Sequence, residues 1–202
     1  MKLSKAFAKK LVDSVFRNSW KAGFWSWLVN SKYRVYKRLD LFLKDQLDQV
    51  PGMVKKVADR IPSHSSPDRQ VIEVLRYVKR NYNYAFDINN YGMEEKWATS
   101  KEIVEKGQDD CDGLNSLVYV LCRLKGVPSF LLYNCVGRVS TGEGHYWLVY
   151  LSTKTDKLYP IDVTWNYEDS LVENRSVFNP NNYKEVWCLF NEDSVFKPGG
   201  IK

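Results

Sequence analysis

The feature that most constrains the fold is a change of period near residue 128. Leu114, Leu117, Val118, Leu121, Cys122 and Leu124 mark the buried side of an apolar helix, and Lys125-Gly126-Val127-Pro128 stops it with a glycine followed by a proline. Beyond that stop the chain reads as strands. Residues 130–139, 146–151, 158–164 and 186–190 are runs rich in Val, Tyr, Trp and Leu. Gly142-Glu143-Gly144 and Thr155-Asp156-Lys157 supply turns between them. One apolar helix followed by consecutive strands predicts an antiparallel sheet with helices on one side, an α+β fold. Seven Trp, thirteen Tyr and nine Phe among 202 residues, with 44% hydrophobic content, provide the core for it and exclude a disordered chain.

Upstream, Pro62-Ser63-His64-Ser65-Ser66-Pro67 is the clearest boundary, short and polar with two prolines. Ser66 is a candidate N-cap, Pro67 a first helical residue and Asp68 a first-turn acid. Val71, Val74, Leu75, Val78 and Tyr82 then recur at helical steps. Residues 87–96, with Asn89-Asn90 and Gly92, read as a loop. Trp97-Ala98-Thr99-Ser100 leads into a short helix over 101–106 that ends at Gly107.

Residues 1–60 read as helical and carry 14 basic against 5 acidic residues, whereas residues 61–202 carry 16 against 19. This contrast predicts a basic helical extension over 1–60 and a second domain over 61–202. Leu3, Phe7, Leu11 and Val15 form one apolar stripe, and Val35, Tyr36, Leu39, Phe42, Leu43 and Leu47 another that ends at Pro51-Gly52. Trp20, Phe24, Trp25, Trp27 and Leu28 crowd around Gly23. Aromatic stripes of this kind usually pack as core. A basic segment interleaved with aromatics is also suited to an anionic membrane surface or a single-stranded nucleic acid. No run of apolar residues is long enough to span a bilayer, and no secretory leader is read at the N-terminus. With four scattered cysteines and no need for disulfides, the expected location is cytoplasmic.

No Cys-x-x-Cys pair and no calcium-loop pattern of spaced acids occurs, so no metal is expected. Cys122, Cys135 and Cys188 lie within apolar runs and read as core, and His64 reads as a solvated linker residue. Cys111 differs, because it stands where a loop enters the apolar helix. The first-turn amides there stabilise a thiolate, while Asp109, Asp110 and Asp112 oppose it. His145 opens a strand after a glycine turn, and Asp162 follows 17 residues later near the end of the next strand. A thiol, an imidazole and a carboxylate are the parts of a cysteine nucleophile site. Residue types alone leave that reading beside a structural one.

The flanking text adds to this. Asp110-Cys111-Asp112 opening an apolar helix, Lys125-Gly126-Val127-Pro128 closing it, Gly144-His145-Tyr146-Trp147-Leu148-Val149, and Tyr159-Pro160-Ile161-Asp162-Val163-Thr164-Trp165 together resemble the core of the transglutaminase-like superfamily. Residues 71–84 resemble its leading helix, and Trp97-Ala98-Thr99-Ser100-Lys101-Glu102 its Trp-x-x-x-x-Glu approach to the nucleophile. The resemblance spans residues 65–166. It implies a papain-like fold, a nucleophile helix packed on an antiparallel sheet, with an N-terminal helical extension. It implies Cys111 as nucleophile, His145 as general base and acid, and Asp162 as its orienter. Gln108 is a candidate oxyanion donor and Trp97 a candidate cleft wall. The implied reaction passes through a thioester at an amide of a protein or peptide substrate, without a cofactor, and hydrolysis by a peptidase is favoured. The alternatives are a catalytically silent binding module and a crosslinking transglutaminase. Asp109 stands where the family usually has glycine, and Tyr146 and Trp147 are bulkier than usual, which predicts a narrowed cleft.

Overall fold

A computed structural model of the chain describes residues 4–16, 39–164 and 183–196. The aromatic patch of Trp20, Phe24, Trp25, Trp27 and Leu28, together with Val35, Tyr36 and Trp165, lies outside the described residues, as do the side chains of Leu3 and Val15.

Local signals account for most helices. Helices α1 (Lys5–Phe16), α2 (Leu39–Asp48) and α3 (Gly52–Arg60) come first. The stripe expected on α1 is rotated: Ala8 and Val12 are buried, whereas Phe7 is 37% exposed. The reason is packing, since α1 lies against the short 3-10 turn Ser129–Leu131, and a flat Ala–Val face fits closer there than a phenyl ring. Pro51 ends α2 but also precedes α3, a helix that begins at the next residue. Helix α4 (Pro67–Asn81) begins as its sequence predicts: the Ser66 side chain accepts from the Arg69 N–H at 3.5 Å, with Pro67 first in the helix. Residues 87–96, expected as a loop, contain helix α5 (Asp87–Tyr91), closed by Gly92 at φ 68°. Five residues are too few to show a helical period. Helix α6 (Ser100–Lys106) carries a reciprocal capping box between Thr99 and Glu102, and Gly107 ends it at φ 71°.

Helix α7 (Cys111–Leu124) is the organising element. Every residue from Asp112 to Cys122 is buried, so it has no solvent face, contrary to the one-sided stripe read from its sequence. It touches α2, α3, α4 and α6, and also the strands Leu132–Val139 and Gly144–Leu151. That is why it is apolar nearly all round. Before it, β1 (Asn83–Tyr84) pairs in parallel with β2 (Gln108–Asp109), two strands too short to be read from sequence.

After the helix come β3 (Leu132–Val139), β4 (Gly144–Leu151), β5 (Leu158–Ile161), β6 (Tyr183–Asn191) and β7 (Ser194–Phe196), in the order β5-β4-β3-β6-β7, every neighbour antiparallel. Gly137 is opposite His145 in the β3–β4 register. A Cβ at Gly137 would lie 1.9 Å from the Glu185 carbonyl oxygen and 2.6 Å from the Trp147 ring, so only glycine lets the strands close here. One hydrophobic cluster runs from Ala8 and Leu43 through α7 to Trp147 and Phe190. The described parts of the basic segment therefore contribute to the same core as the sheet. No helix among the described residues is long and apolar enough to cross a membrane.

Candidate active site

The site forms where the start of α7 meets the start of β4 and the end of β5. Asp110 is the N-cap of α7 and its carboxylate accepts from the Asp112 N–H at 3.2 Å, which places Cys111 first in the helix. His145 is the second residue of β4 and Asp162 the first residue after β5. Because β4 and β5 are hydrogen-bonded neighbours, with Leu148 opposite Ile161, the two side chains meet: His145 Nε2 lies 2.6 Å from Asp162 Oδ2. A backbone hydrogen bond from Tyr146 reaches the Cys111 sulfur, so the thiol abuts the residue that follows His145.

Asn115, one turn after Cys111, ties these elements together. Its Nδ2 is 3.0 Å from the Cys111 carbonyl oxygen, 2.9 Å from that of Tyr146 and 3.1 Å from Asp162 Oδ1, and its Oδ1 accepts from the Val163 N–H at 3.0 Å. It is fully buried. No motif in the sequence marks it. The available signal was an amide at a core position of an otherwise apolar helix, which must find partners across the fold.

Asp162 is 2% exposed. Burial works to raise its pKa, but the His145 contact, the Thr164 hydroxyl at 2.6 Å and Asn115 more than offset that and hold it below the ordinary carboxylate value. Tyr183 adds a hydroxyl at 3.3 Å. Cys111 is the reverse. Burial comes first, then the Asp110 and Asp112 charges, and together they push the thiol well above its ordinary value despite the Tyr146 amide. A thiolate here requires a cation beside it.

The other predicted residues fall around this centre. Gln108 is in β2 and its Nε2 donates to Asn90 Oδ1 at 3.2 Å, so the amide is turned to α5. Trp97 packs edge-on against Tyr146 at 5.4 Å and Phe42 at 5.9 Å, joining the wall to the core. Tyr146 and Trp147 turn into the core. Both are buried, with the Tyr146 hydroxyl donating to Asn134 at 2.7 Å and Trp147 stacked beneath His145 at 6.2 Å. Strand alternation sends Tyr146 to the face opposite His145, and Gly137 makes the space Trp147 fills.

Acids converge on the other side of Cys111. Oxygens of Asp87, Asp109 and Asp110 lie within 4.8 Å of one another. Asp87 Oδ2 accepts from the Lys96 N–H, but its Oδ1 is buried with no hydrogen-bond partner. Burial and the Asp110 charge raise Asp87 to about 7. Burial likewise raises Asp109 to about 6, against the Asp110 N–H at 3.0 Å and with Tyr91 donating at 3.1 Å. Asp109 fits where the family usually has glycine because Gly113 yields the room: a Cβ there would lie 2.2 Å from Asp109 Oδ2. An orphaned buried oxygen within three carboxylates is a donor set suited to a hard cation. The sequence offered no single loop of spaced acids, because Asp87 reaches the cluster from a separate segment.

No family model and no curated protein sequence matches the chain. Solved structures do. Legionella pneumophila LapG superposes at TM-score 0.53 with 15% identity, over 78% of this chain and 86% of that one. Its EGTA-treated form gives 0.54 at 16% identity over 78% and 84%, and its calcium-bound form 0.53 at 16% over 78% and 87%. At this identity the likeness concerns the fold, and it agrees with the element order above. With a cysteine-headed central helix packed on an antiparallel sheet that carries the histidine and the aspartate, the chain has a transglutaminase-like α+β fold.

Proposed function

We propose that the protein is a cysteine-dependent amide hydrolase, a peptidase, acting through Cys111, His145 and Asp162. The observation that carries this reading is the 2.6 Å contact between His145 Nε2 and Asp162 Oδ2 beside a thiol at the first position of α7. Asp162 fixes the imidazole with Nε2 toward itself and stabilises the imidazolium. His145 takes the Cys111 proton on Nδ1, and the thiolate attacks the substrate carbonyl carbon. The oxyanion that forms faces the N-terminal amides of α7. As the C–N bond breaks, the imidazolium protonates the departing amine, leaving a thioester on Cys111. Water then attacks that thioester, giving its proton to His145, and the acid and free thiol are released. With a lysine amine in place of water the same site would crosslink proteins.

Iodoacetamide tests the reading. Cys111 is expected to be alkylated near neutral pH far faster than Cys122, Cys135 and Cys188, with a pH profile set by an ion pair. Cys111→Ala should abolish both that labelling and peptide cleavage. A Cys111 as slow as an ordinary thiol, with a single alkaline titration, would mean a silent binding module on the same fold.

The calcium-bound form of Legionella pneumophila LapG, together with the orphaned Asp87 oxygen, favours a bound ion as well. In this reading Asp87, Asp109 and Asp110 hold calcium, which would supply positive charge that relieves the push of Asp110 on the Cys111 thiol. Calcium at pH 7.5 should then raise the melting temperature of the Cys111→Ala protein, and EGTA should reverse it. An equal shift in Asp87→Asn would exclude these ligands.

For residues 1–60, the reading keeps a basic helical extension that engages an anionic membrane surface or a nucleic acid, with residues 61–202 as the catalytic domain. A vesicle and single-strand binding assay at two salt concentrations tests it, since such binding must weaken as salt rises.

A further inference from the structure

Large apolar side chains left in water concentrate in one place. Among the described residues seven such side chains are exposed, and four of them, Tyr84, Phe86, Ile88 and Met93, fall within a single short stretch. Phe86 is the most exposed of all at 61%, and Tyr84 is 47% exposed. Their rings are not loose. They meet edge to face with centroids 5.3 Å apart, and the backbone between them is pinned: the Ala85 N–H donates to the Asp109 carbonyl at 3.0 Å and the Asn83 N–H to that of Gly107 at 3.0 Å. The strand that holds them, β1, is paired to β2, which runs directly into Cys111.

The Tyr84 phenol is raised above its ordinary value by burial first, and then by the Cys111, Asp110, Asp112 and Asp162 groups together. Tyr84 is opposite Asp109, two residues before Cys111, in the β1–β2 register, so it lies at the edge of the site rather than on a remote surface. An ordered apolar pair in that position is stabilised when an apolar group covers it. Its charged neighbours, Asp110 and Asp112, are acidic and disfavour an acidic occupant.

We propose that Tyr84 and Phe86 form the wall that receives an apolar side chain, aromatic or branched aliphatic, from the acyl half of the peptide substrate. This rests on the peptidase reading given above. The acyl half follows from where protons go. The leaving amine must face His145 on β4 to be protonated, and the half retained on the sulfur is assigned to the segment that leads into Cys111, β2 with its partner β1. These two residues would then set the specificity of the reaction while Cys111 and His145 perform it.

Peptidyl chloromethyl ketones, which report only the acyl half, provide the test. Two series are compared, with Phe, Leu, Ala or Glu either on the residue bearing the ketone or on the one before it. Labelling of Cys111 is followed by intact mass, and each rate is divided by the iodoacetamide rate of the same protein. In at least one series the Phe and Leu probes should exceed the Glu probe by about ten-fold or more, the range an apolar pocket supplies. Phe86→Ala should shrink that ratio to about two-fold, Phe86→Leu should retain most of it, and Val195→Ala, on the distant β7 surface, should leave it unchanged.

No apolar preference in either series would overturn the proposal, as would a preference untouched by both Phe86→Ala and Tyr84→Ala. A wild-type dimer that Phe86→Lys converts to monomer would overturn it too, by assigning the patch to a second copy of the chain. A Cys111 inert to iodoacetamide and to every probe would instead reject the peptidase reading, and this inference with it.

Discussion

Asp162 and Asp109 are both buried carboxylates within reach of Cys111, and their environments drive them apart. Asp162 receives the His145 ring, the Thr164 hydroxyl and amide, Asn115 and Tyr183. Asp109 receives one backbone N–H, the Tyr91 hydroxyl and the Asn90 side chain, and faces the Asp110 carboxylate. Burial penalises both equally in kind, so the partners decide. The His145 ring and several donors hold Asp162 below the ordinary carboxylate value, whereas burial, with the Asp110 charge added, raises Asp109 to about 6. One side of Cys111 sets a buried carboxylate against the His145 ring. The other collects negative charge that only protons or a cation relieve.

The largest effect is expected from Asp162→Asn, which removes the negative charge but keeps the shape. Peptide cleavage should fall by roughly 10³-fold or more, because the imidazolium loses its counter-charge and the ring its tautomer. A loss below ten-fold would mean that the Asp162 side of the comparison is structural. Next comes Asn115→Ala. It leaves the buried Val163 N–H and one oxygen of Asp162 short of partners, and a stability loss of about 2–4 kcal/mol in urea unfolding is expected.

The two acids should also differ in the sign of their pH dependence. Asp109 is raised from 3.8 to about 6, so the folded state binds its proton more tightly than the unfolded state. Its stabilising contribution is present below pH of about 4 and is lost as pH rises through 6. In the absence of divalent cations, wild type should gain about 1.4 kcal/mol on going from pH 7.5 to 5 through this group, and Asp109→Asn should lose that share of the gain. Asp162, being depressed, stabilises above the ordinary carboxylate pKa and stops doing so as pH falls through its lowered value, so its effect belongs to acid unfolding. Equal pH profiles for Asp109→Asn and wild type would break the contrast. The smallest effect is expected from Tyr183→Phe, which deletes one long hydrogen bond to Asp162 and should cost about 0.5–1.5 kcal/mol with a slight fall in the rate.

Much of the fold was legible because its signals are local. Ser66, Pro67 and Asp68 mark the start of α4, Thr99 and Glu102 box the start of α6, and Gly107 and Gly126 take the left-handed backbone that ends helices. Those residues act on neighbours three or four positions away. What was missed acts over longer distances or shorter elements. Helix α5 is one turn and a half, β1 and β2 are two residues each, and neither length shows a period. The buried face of α1 depends on the Ser129–Leu131 turn that it meets, far along the chain.

The candidate site divides in the same way. The sequence by itself determined that Cys111 heads an apolar helix, that His145 opens a strand and that Asp162 closes the next, since capping residues, glycine turns and alternation are properties of adjacent residues. Only the tertiary structure decided that Asn115 joins all three segments, that Gly113 makes room for Asp109, that Tyr146 and Trp147 turn into the core, and that Asp87 arrives beside Asp109 and Asp110. The physical reason is that a side chain's charge and hydrogen bonds depend on what surrounds it in three dimensions. Two aspartates with the same intrinsic acidity become opposites once one is packed beside an imidazole and the other beside a carboxylate.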